Sequence, residues 1–394
     1  MTARRCAVIG GGIAGASVAA SLARRGWQVQ VLDAAAQPAA GASGLPVGLF
    51  APHVSPDDAI LSRLTRAGVQ ATLQQARALL VQGQDWNASG VLEHGVKGAR
   101  RLPAHDTSSR PATPAERAAA GLAADAPALW HAQAGWLKPA RLVRALLTQP
   151  GIEWRGHCAV AAVVRHGAGW QLQDGAGWQL QDGAGWQLQD GAGWLVQDAA
   201  GQCLAEAPLV VVAAGPHSAA LLGARLPLQP LRGQIAWGRC GDARLPPFPV
   251  NGHGSLVAGI AHEGAAAWFV GSTFERASTD TQVRPDDHAA NLARLQLLLP
   301  AAARELAPQF SGAAGSPAVR GWAGVRATLP DRLPAVGPVD EAAAPGLWAS
   351  TGMGSRGLTL AVLCGELLAA RASGEPAPLA PQLAAALAAQ RYTR

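Results

Sequence analysis

The sequence predicts an α/β protein in two interleaved parts: a dinucleotide-binding domain on a central parallel sheet, and an α+β domain on a mostly antiparallel sheet. Three observations predict it. An apolar strand, Cys6-Ala7-Val8-Ile9, runs into Gly10, Gly12 and Gly15 in G-x-G-x-x-G spacing, and a second strand ends on Asp33. A wholly apolar run, Leu209 to Ala214, exits at Gly215-Pro216 and reads as a central parallel strand. A second glycine-rich turn, Ser350 to Thr359, feeds a helix over 361–371, so the fold must bring distant parts of the chain together. At 394 residues and 49% hydrophobic, the chain is long enough for two cores.

The first turn has the form of a βαβ unit, the opening of a Rossmann-like sheet. Gly10 permits the tight turn, Gly12 lets backbone approach a pyrophosphate, and Gly15 lets helix and strand pack closely. The helix N-terminus offers N–H groups and a positive dipole end to phosphate, and Asp33 suits a ribose hydroxyl. A rival reading takes the charge-free run Cys6–Ala23 as a signal peptide or membrane span. Three consecutive glycines would each weaken such a helix by about 1 kcal/mol relative to alanine, and that reading leaves Asp33 unexplained. A soluble, uncleaved protein is expected.

Five cysteines are scattered without a C-x-x-C pair, which argues against structural zinc and a disulfide framework and fits a reducing cytoplasm. A net charge of +6 permits attraction to a polyanion such as RNA, but no dense basic run appears, so charge alone is a weak pointer.

After Asp33, the small-residue stretch Pro38–His53 suits backbone lying against a flat cofactor. Apolar residues at helical spacing predict a long amphipathic helix from Asp57 to Leu80. Residues 81–134 mix short strands such as Gly90-Val91-Leu92 with a polar, proline-rich stretch from Pro103 to Pro127. Gly135-Trp136-Leu137-Lys138-Pro139 then starts a helix over 140–147. The octapeptide Gly167-Ala168-Gly169-Trp170-Gln171-Leu172-Gln173-Asp174 recurs from Gly175 and Gly183, and again with changes from Gly191. Each copy reads as a short strand and an Asp-Gly turn. The even period places Trp170, Trp178, Trp186 and Trp194 on one face, where they could stack bases; a strand-and-turn copied by slippage accounts for the repeat without any chemistry. Leu231-Arg232-Gly233-Gln234-Ile235 opens further strands, including 267–274, followed by a helix over 286–299.

The last third carries Gly324-Val325-Arg326 with Asp331, Leu333, Pro334 and Gly337, and then Gly354-Ser355-Arg356-Gly357-Leu358. Together with the opening fingerprint, Arg24-Arg25-Gly26-Trp27, Gly41-Ala42-Ser43-Gly44 and Gly135-Trp136-Leu137, these blocks resemble the D-amino-acid-oxidase-type FAD oxidoreductases. Within that family they are most similar to the oxidoreductase half of bifunctional tRNA wobble-uridine modification proteins. The resemblance implies FAD as cofactor, with a discontinuous FAD-binding domain over 1–80, 135–222 and 326–394 (the repeat at 167–198 inserted in it). A substrate domain would occupy 81–134 and 223–325.

It further implies 5-carboxymethylaminomethyl-(2-thio)uridine in tRNA as substrate, losing its arm as glyoxylate to leave the 5-aminomethyl nucleoside. The amine reacts in its neutral form, and no protein nucleophile is needed. Expected cofactor contacts are Gly10, Gly12, Ile13, Ala14, Gly15, Asp33, Ala42, Ser43, Gly48, Gly215, Gly352, Gly354, Ser355, Arg356, Gly357 and Leu358. In the late turn, the helix dipole would favour a reduced, anionic flavin.

Arg326 is the candidate for the substrate carboxylate, since a guanidinium can hold that group by two parallel bonds; the bland alternative is an arginine that is solvated or ion-paired with Asp331. His53 is a possible pocket residue without an assigned role. The loop after Gly44, Leu45-Pro46-Val47, is apolar where the family carries polar residues. No methyltransferase half precedes the flavin strand, so methylation is expected from a separate protein or not at all. No metal and no membrane partner are expected. Two rival functions share these residues: an FAD-dependent oxidase or dehydrogenase of a free small amino acid, and a non-catalytic binding module.

Overall fold

The computed structural model describes residues 4–95, 102–103, 107–166, 193–312 and 318–392. The first three octapeptide copies, with Trp170, Trp178 and Trp186, lie outside the described residues.

A six-stranded sheet runs in the order Ala335–Pro338, Leu347–Thr351, Leu209–Val212, Arg5–Ile9, Gln28–Leu32, Ile152–Arg155. All its neighbours are parallel except the outermost strand 335–338, which is antiparallel to 347–351. Both faces are covered, which is why the central strands read as unbroken apolar runs. Cys6, Val8 and Val211 enter the core beneath the helices, while Ala7, Ile9, Val210 and Val212 enter the core on the other side. The helices Ile13–Ala23, Ile60–Leu79, Pro139–Leu147 and Gly357–Ser373 contribute to the first core. Gly365 makes the crossing of the first and 357–373 helices possible, because a Cβ there would stand 2.6 Å from the Ser17 carbonyl oxygen.

On the opposite side lies a small antiparallel sheet of Ala162–His166, Gly193–Gln197 and Cys203–Ala207. The end of the fourth repeat copy is therefore a strand, as its sequence predicts. Trp194 is buried in that core and its indole N–H donates to the Pro345 carbonyl at 2.9 Å, so this tryptophan packs and does not form a stacking platform.

The second large sheet has nine strands and is mostly antiparallel, centred on Gln229–Arg239, which pairs with Ala265–Gly271 on one side and Arg320–Thr328 on the other. Gly254–His262, Val250–Gly252, Val91–His94, Ala128–His131 and Ser109–Pro111 continue it, with one parallel pair between 250–252 and 91–94, and the two-residue strand Glu275–Arg276 pairs with Leu231 and Arg232. The helices Pro285–Leu298 and Pro300–Phe310 cover one face. The other face carries Ile235, Trp237, Val257 and Phe269 and packs with Val47 and Trp136. Gly135–Leu137 links the two cores, because Trp136 enters this cluster while its neighbour Leu137 enters the helical core.

Element boundaries differ from the sequence reading in instructive places. The helix expected from Asp57 begins at Ile60, since the Ser55 hydroxyl accepts from the Ala59 N–H and Asp58 turns to φ +48°. The helix expected from 361 begins at Gly357, whose φ of −55° is already helical; the left-handed glycines are Gly352 and Gly354. No helix among the described residues is long and apolar enough to cross a membrane.

Candidate functional site

The first turn is built as its glycines require. Gly10 takes φ +111°, and a Cβ there would lie 2.5 Å from the Ala213 carbonyl oxygen. A Cβ on Gly15 would lie 1.9 Å from the Gly10 carbonyl oxygen, so only glycine lets the first helix sit this close to its strand. Gly12 has open space above it, limited only by the Ser43 hydroxyl at 3.2 Å from a built Cβ. The Ser43 hydroxyl accepts the Ile13 N–H at 2.9 Å. That leaves Ala14 and Gly15 as the first-turn N–H groups with no acceptor within the helix. Asp33 accepts the Gly11 N–H at 2.6 Å and the Ala35 N–H at 2.8 Å, one on each oxygen. It holds the glycine turn in shape, and each oxygen keeps a second lone pair.

The late turn meets the first. A Cβ on Gly357 would come 3.4 Å from Ile13 Cγ2. Gly352 and Gly354 abut Leu329 and Thr328 and shape the turn, and Ser355 and Arg356 beyond them line a cavity of about 420 Å³. Leu358 packs against Gly48, where a Cβ would stand 2.6 Å from Leu358 Cδ1, and its carbonyl accepts the Thr72 hydroxyl at 2.7 Å. Ala42 and Gly48 line the same cavity, together with the apolar Leu45 and Val47 that follow Gly44. Gly215 stands apart from it, in the turn after Leu209–Val212, with φ +56° and no atom within 4 Å of a built Cβ.

Arg326 enters the cavity from the strand 320–328. Its register partner is Leu231, and Gly233, two residues along on the same face, clears its path: a Cβ on Gly233 would lie 1.9 Å from Arg326 Nη2. Arg232, between them, points the other way and is fully buried against Asp287 at 2.6 Å. Among the described residues Arg326 has only a long contact of 3.5 Å to the Thr273 carbonyl, and its Cζ lies 5.0 Å from the Phe274 ring centroid. Asp331 pairs instead with Arg391 at 2.8 Å, and among the described residues no carboxylate lies within ion-pair distance of Arg326. Burial pushes its pKa down to about 10. A guanidinium kept from water and given no internal anion is suited to an external one.

The structure thus brings Arg326, Ala42, Gly48, Ser355 and Arg356 to one cavity and groups Gly10, Gly12, Ile13, Ala14, Gly15, Ser43 and Asp33 at the first turn. His53, singled out without a role, also lines the cavity. The sequence did not point to Trp322, Asn251, His253, Arg294 or Glu93, which line it too. They come from separate strands and a helix, and nothing local marks them; only the exit of Gly252 and Gly254 beside His253 was a signal. Nor did it show a buried chain, Ser109–His131–Glu93, with His131 Nδ1 at 2.8 Å from the Ser109 hydroxyl and Nε2 at 3.0 Å from Glu93.

Comparisons agree with this geometry. The family described as FAD dependent oxidoreductase matches residues 5–371. A tRNA 5-methylaminomethyl-2-thiouridine biosynthesis bifunctional protein MnmC of Paracidovorax citrulli is 54% identical over 405 residues, covering 98% of this chain and 60% of that protein. The protein of the same name from Polaromonas naphthalenivorans is 50% identical over 411 residues, covering 99% of this chain and 60% of its own length. The chain therefore spans about three fifths of the length of these relatives. Among solved structures, glycine oxidase from Bacillus cereus is similar with a TM-score of 0.68 at 19% identity, covering 94% of this chain and 95% of that one. L-proline dehydrogenase from P. horikoshii gives a TM-score of 0.68 at 16% identity, covering 100% and 98%. At these identities the two structures speak for the fold.

Proposed function

This chain belongs to the FAD dependent oxidoreductase family, and on that premise we propose that it oxidises the carboxymethylaminomethyl arm of a wobble uridine in tRNA. The CH–NH unit of the arm loses two electrons and two protons, a hydride from carbon and a proton from nitrogen, to become an imine. Water hydrolyses the imine, glyoxylate leaves, and 5-aminomethyl-(2-thio)uridine remains. Arg326 carries the reading: a half-buried cation without an ion-pair partner among the described residues, lining the cavity that the late turn also lines. The tRNA substrate is taken over from the MnmC relatives.

The residues present fit FAD. Gly12 leaves open space at the N-terminus of the first helix, where the Ala14 and Gly15 N–H groups would hold the pyrophosphate. Asp33 has lone pairs for a ribose hydroxyl, and Ala42, Gly48, Ser355 and Arg356 would lie along the ring end. Bound FAD supplies the hydride acceptor. The chain does the rest. Arg326 orients the arm by its carboxylate, and Ile235, Val257, Phe269 and Trp322 give the cavity an apolar wall that excludes water from the reacting carbon.

Mass spectrometry of tRNA nucleosides from a strain lacking this protein tests the proposal. The carboxymethylaminomethyl form accumulates if it is right, and an unchanged profile refutes it. A flavin bleached by glycine but not by modified tRNA would replace the RNA with a free amino acid.

A further inference from the structure

We propose that Glu93 takes the proton from the substrate's ammonium nitrogen before oxidation, and that His131, anchored by Ser109, is the positioning residue that holds Glu93 ready to do so. This rests on the amine-oxidising reading above. A secondary amine beside a carboxylate is largely protonated near neutral pH, and it must lose that proton before its α-carbon can give up a hydride. In the step, the N–H bond breaks, an O–H bond forms on Glu93, and the electron pair stays on nitrogen. The family's flavin is the oxidant in the step that follows.

Sheet register builds the relay. His131 stands opposite Val91 on one neighbouring strand and Ser109 on the other, and Glu93 is two residues beyond Val91. Directly opposed residues and those two apart share a face, so Ser109, His131 and Glu93 lie on the same side. All three are buried, His131 to 1% exposure. The inner end, Glu93, lines the same cavity as Arg326. The outer end, His131, lines a second cavity of about 10 Å³ with Arg66 and Gln70, roughly the room one water needs. The buried Nη1 of Arg66 beside it has no hydrogen-bond partner among the described residues.

A carboxylate only accepts, so His131 carries its proton on Nε2 and, when neutral, accepts the Ser109 hydroxyl on Nδ1. Passing the proton taken by Glu93 outward requires the other neutral tautomer, in which Nδ1–H donates to the Ser109 hydroxyl and Nε2 is open to accept from protonated Glu93. A buried carboxylate costs several kcal/mol unless paired, and His131 is one of the partners that offset this cost while leaving Glu93 at the cavity wall. Charged and titratable groups that face the relay are Arg66 of the helix Ile60–Leu79 with its partner Asp58, and, across the cavity, Arg326, Arg294, Arg356, His53 and His253.

The test is anaerobic single-turnover bleaching of the flavin in the holoprotein from pH 6 to 10, with tRNA bearing the carboxymethylaminomethyl group and, in parallel, with sarcosine. Wild type and the variants Glu93→Gln, Glu93→Asp and His131→Gln are compared. With Glu93→Gln, the rate at pH 7 falls at least tenfold and recovers as pH approaches the amine's own pKa, because only the free base then reacts. Glu93→Asp restores part of the neutral rate, and His131→Gln moves the acid limb of the profile. A drop that is the same at every pH, or no drop, overturns the proposal; if Glu93→Gln does not retain flavin, an unmoved acid limb in His131→Gln does so. Bleaching by sarcosine but not by tRNA refutes the RNA reading and leaves the relay to be judged with sarcosine. Bleaching by neither overturns both.

Discussion

The two ends of the site solve recognition with different materials. At the first turn the proposed binding falls to the backbone: Gly10, Gly12 and Gly15 are there for what they lack, and Ser43 and Asp33 hold N–H groups of the turn and of the first helix. At the cavity the proposed binding falls to side chains, and the backbone supplies a sheet from which Arg326 and Glu93 project. Backbone sites write themselves into local sequence, because the glycine spacing is the geometry. Side-chain sites are written into strand register, which joins residues far apart in the chain.

That difference predicts opposite kinds of failure. The largest effect is expected from Gly15→Val. Its side chain would be forced into the Gly10 carbonyl, 1.9 Å from a built Cβ, so helix and strand must separate. A loss of about 3 kcal/mol in unfolding free energy, with loss of bound flavin, is expected from denaturation and absorbance measurements. Survival of both would mean the turn is more plastic than the contacts suggest.

Arg326→Ala should act at the other end alone. Flavin stays bound and the fold is kept, while KM for the carboxylate substrate rises on the order of a hundredfold, as for loss of a charge-assisted bidentate contact worth about 3 kcal/mol. Steady-state kinetics with an absorbance check separate the two; flavin loss in this variant would erase the contrast between the ends.

A third expectation sharpens the cavity end. Burial lowers the Arg326 pKa to about 10, so the cation is intact below that value and is lost as pH rises through it. KM should be flat through neutral pH with respect to this group and climb above pH 10, and Arg326→Lys should change where the climb begins. A KM indifferent to that range would show that the site keeps Arg326 charged against its burial.

The smallest effect belongs to neither end. Thr113 caps the helix Pro114–Ala119 in a reciprocal box with Glu116, and the hydrogen bond from Arg110 holds the Glu116 pKa down to about 2. Thr113→Ala should lower stability by about 1 kcal/mol and leave both flavin binding and turnover alone. Since the folded pKa of Glu116 is depressed, its own contribution is present above the usual carboxylate range and is lost as pH falls toward 2.

Legibility followed the same division. The glycine turn, Asp33, the strand 209–212 and the long helices were readable because each is encoded within a few turns of local pattern. Arg326 was readable only by resemblance; that it has no ion-pair partner among the described residues became visible only when Asp331 turned to Arg391. Glu93, His131 and Ser109 are separated by 38 and 22 residues and meet through sheet register. No periodicity carries that information. The fourth-repeat tryptophan, Trp194, shows the converse, since a pattern that invited a functional reading became a packed core residue bonded to Pro345.

The most direct measurement incubates the purified flavin-loaded protein with tRNA bearing 5-carboxymethylaminomethyl-(2-thio)uridine and follows nucleosides and glyoxylate by mass spectrometry. The account predicts loss of that nucleoside with equal amounts of the 5-aminomethyl nucleoside and glyoxylate, slowed on the order of a hundredfold by Arg326→Ala at substrate concentrations below KM. An unchanged nucleoside with a fully loaded, reducible flavin would contradict it.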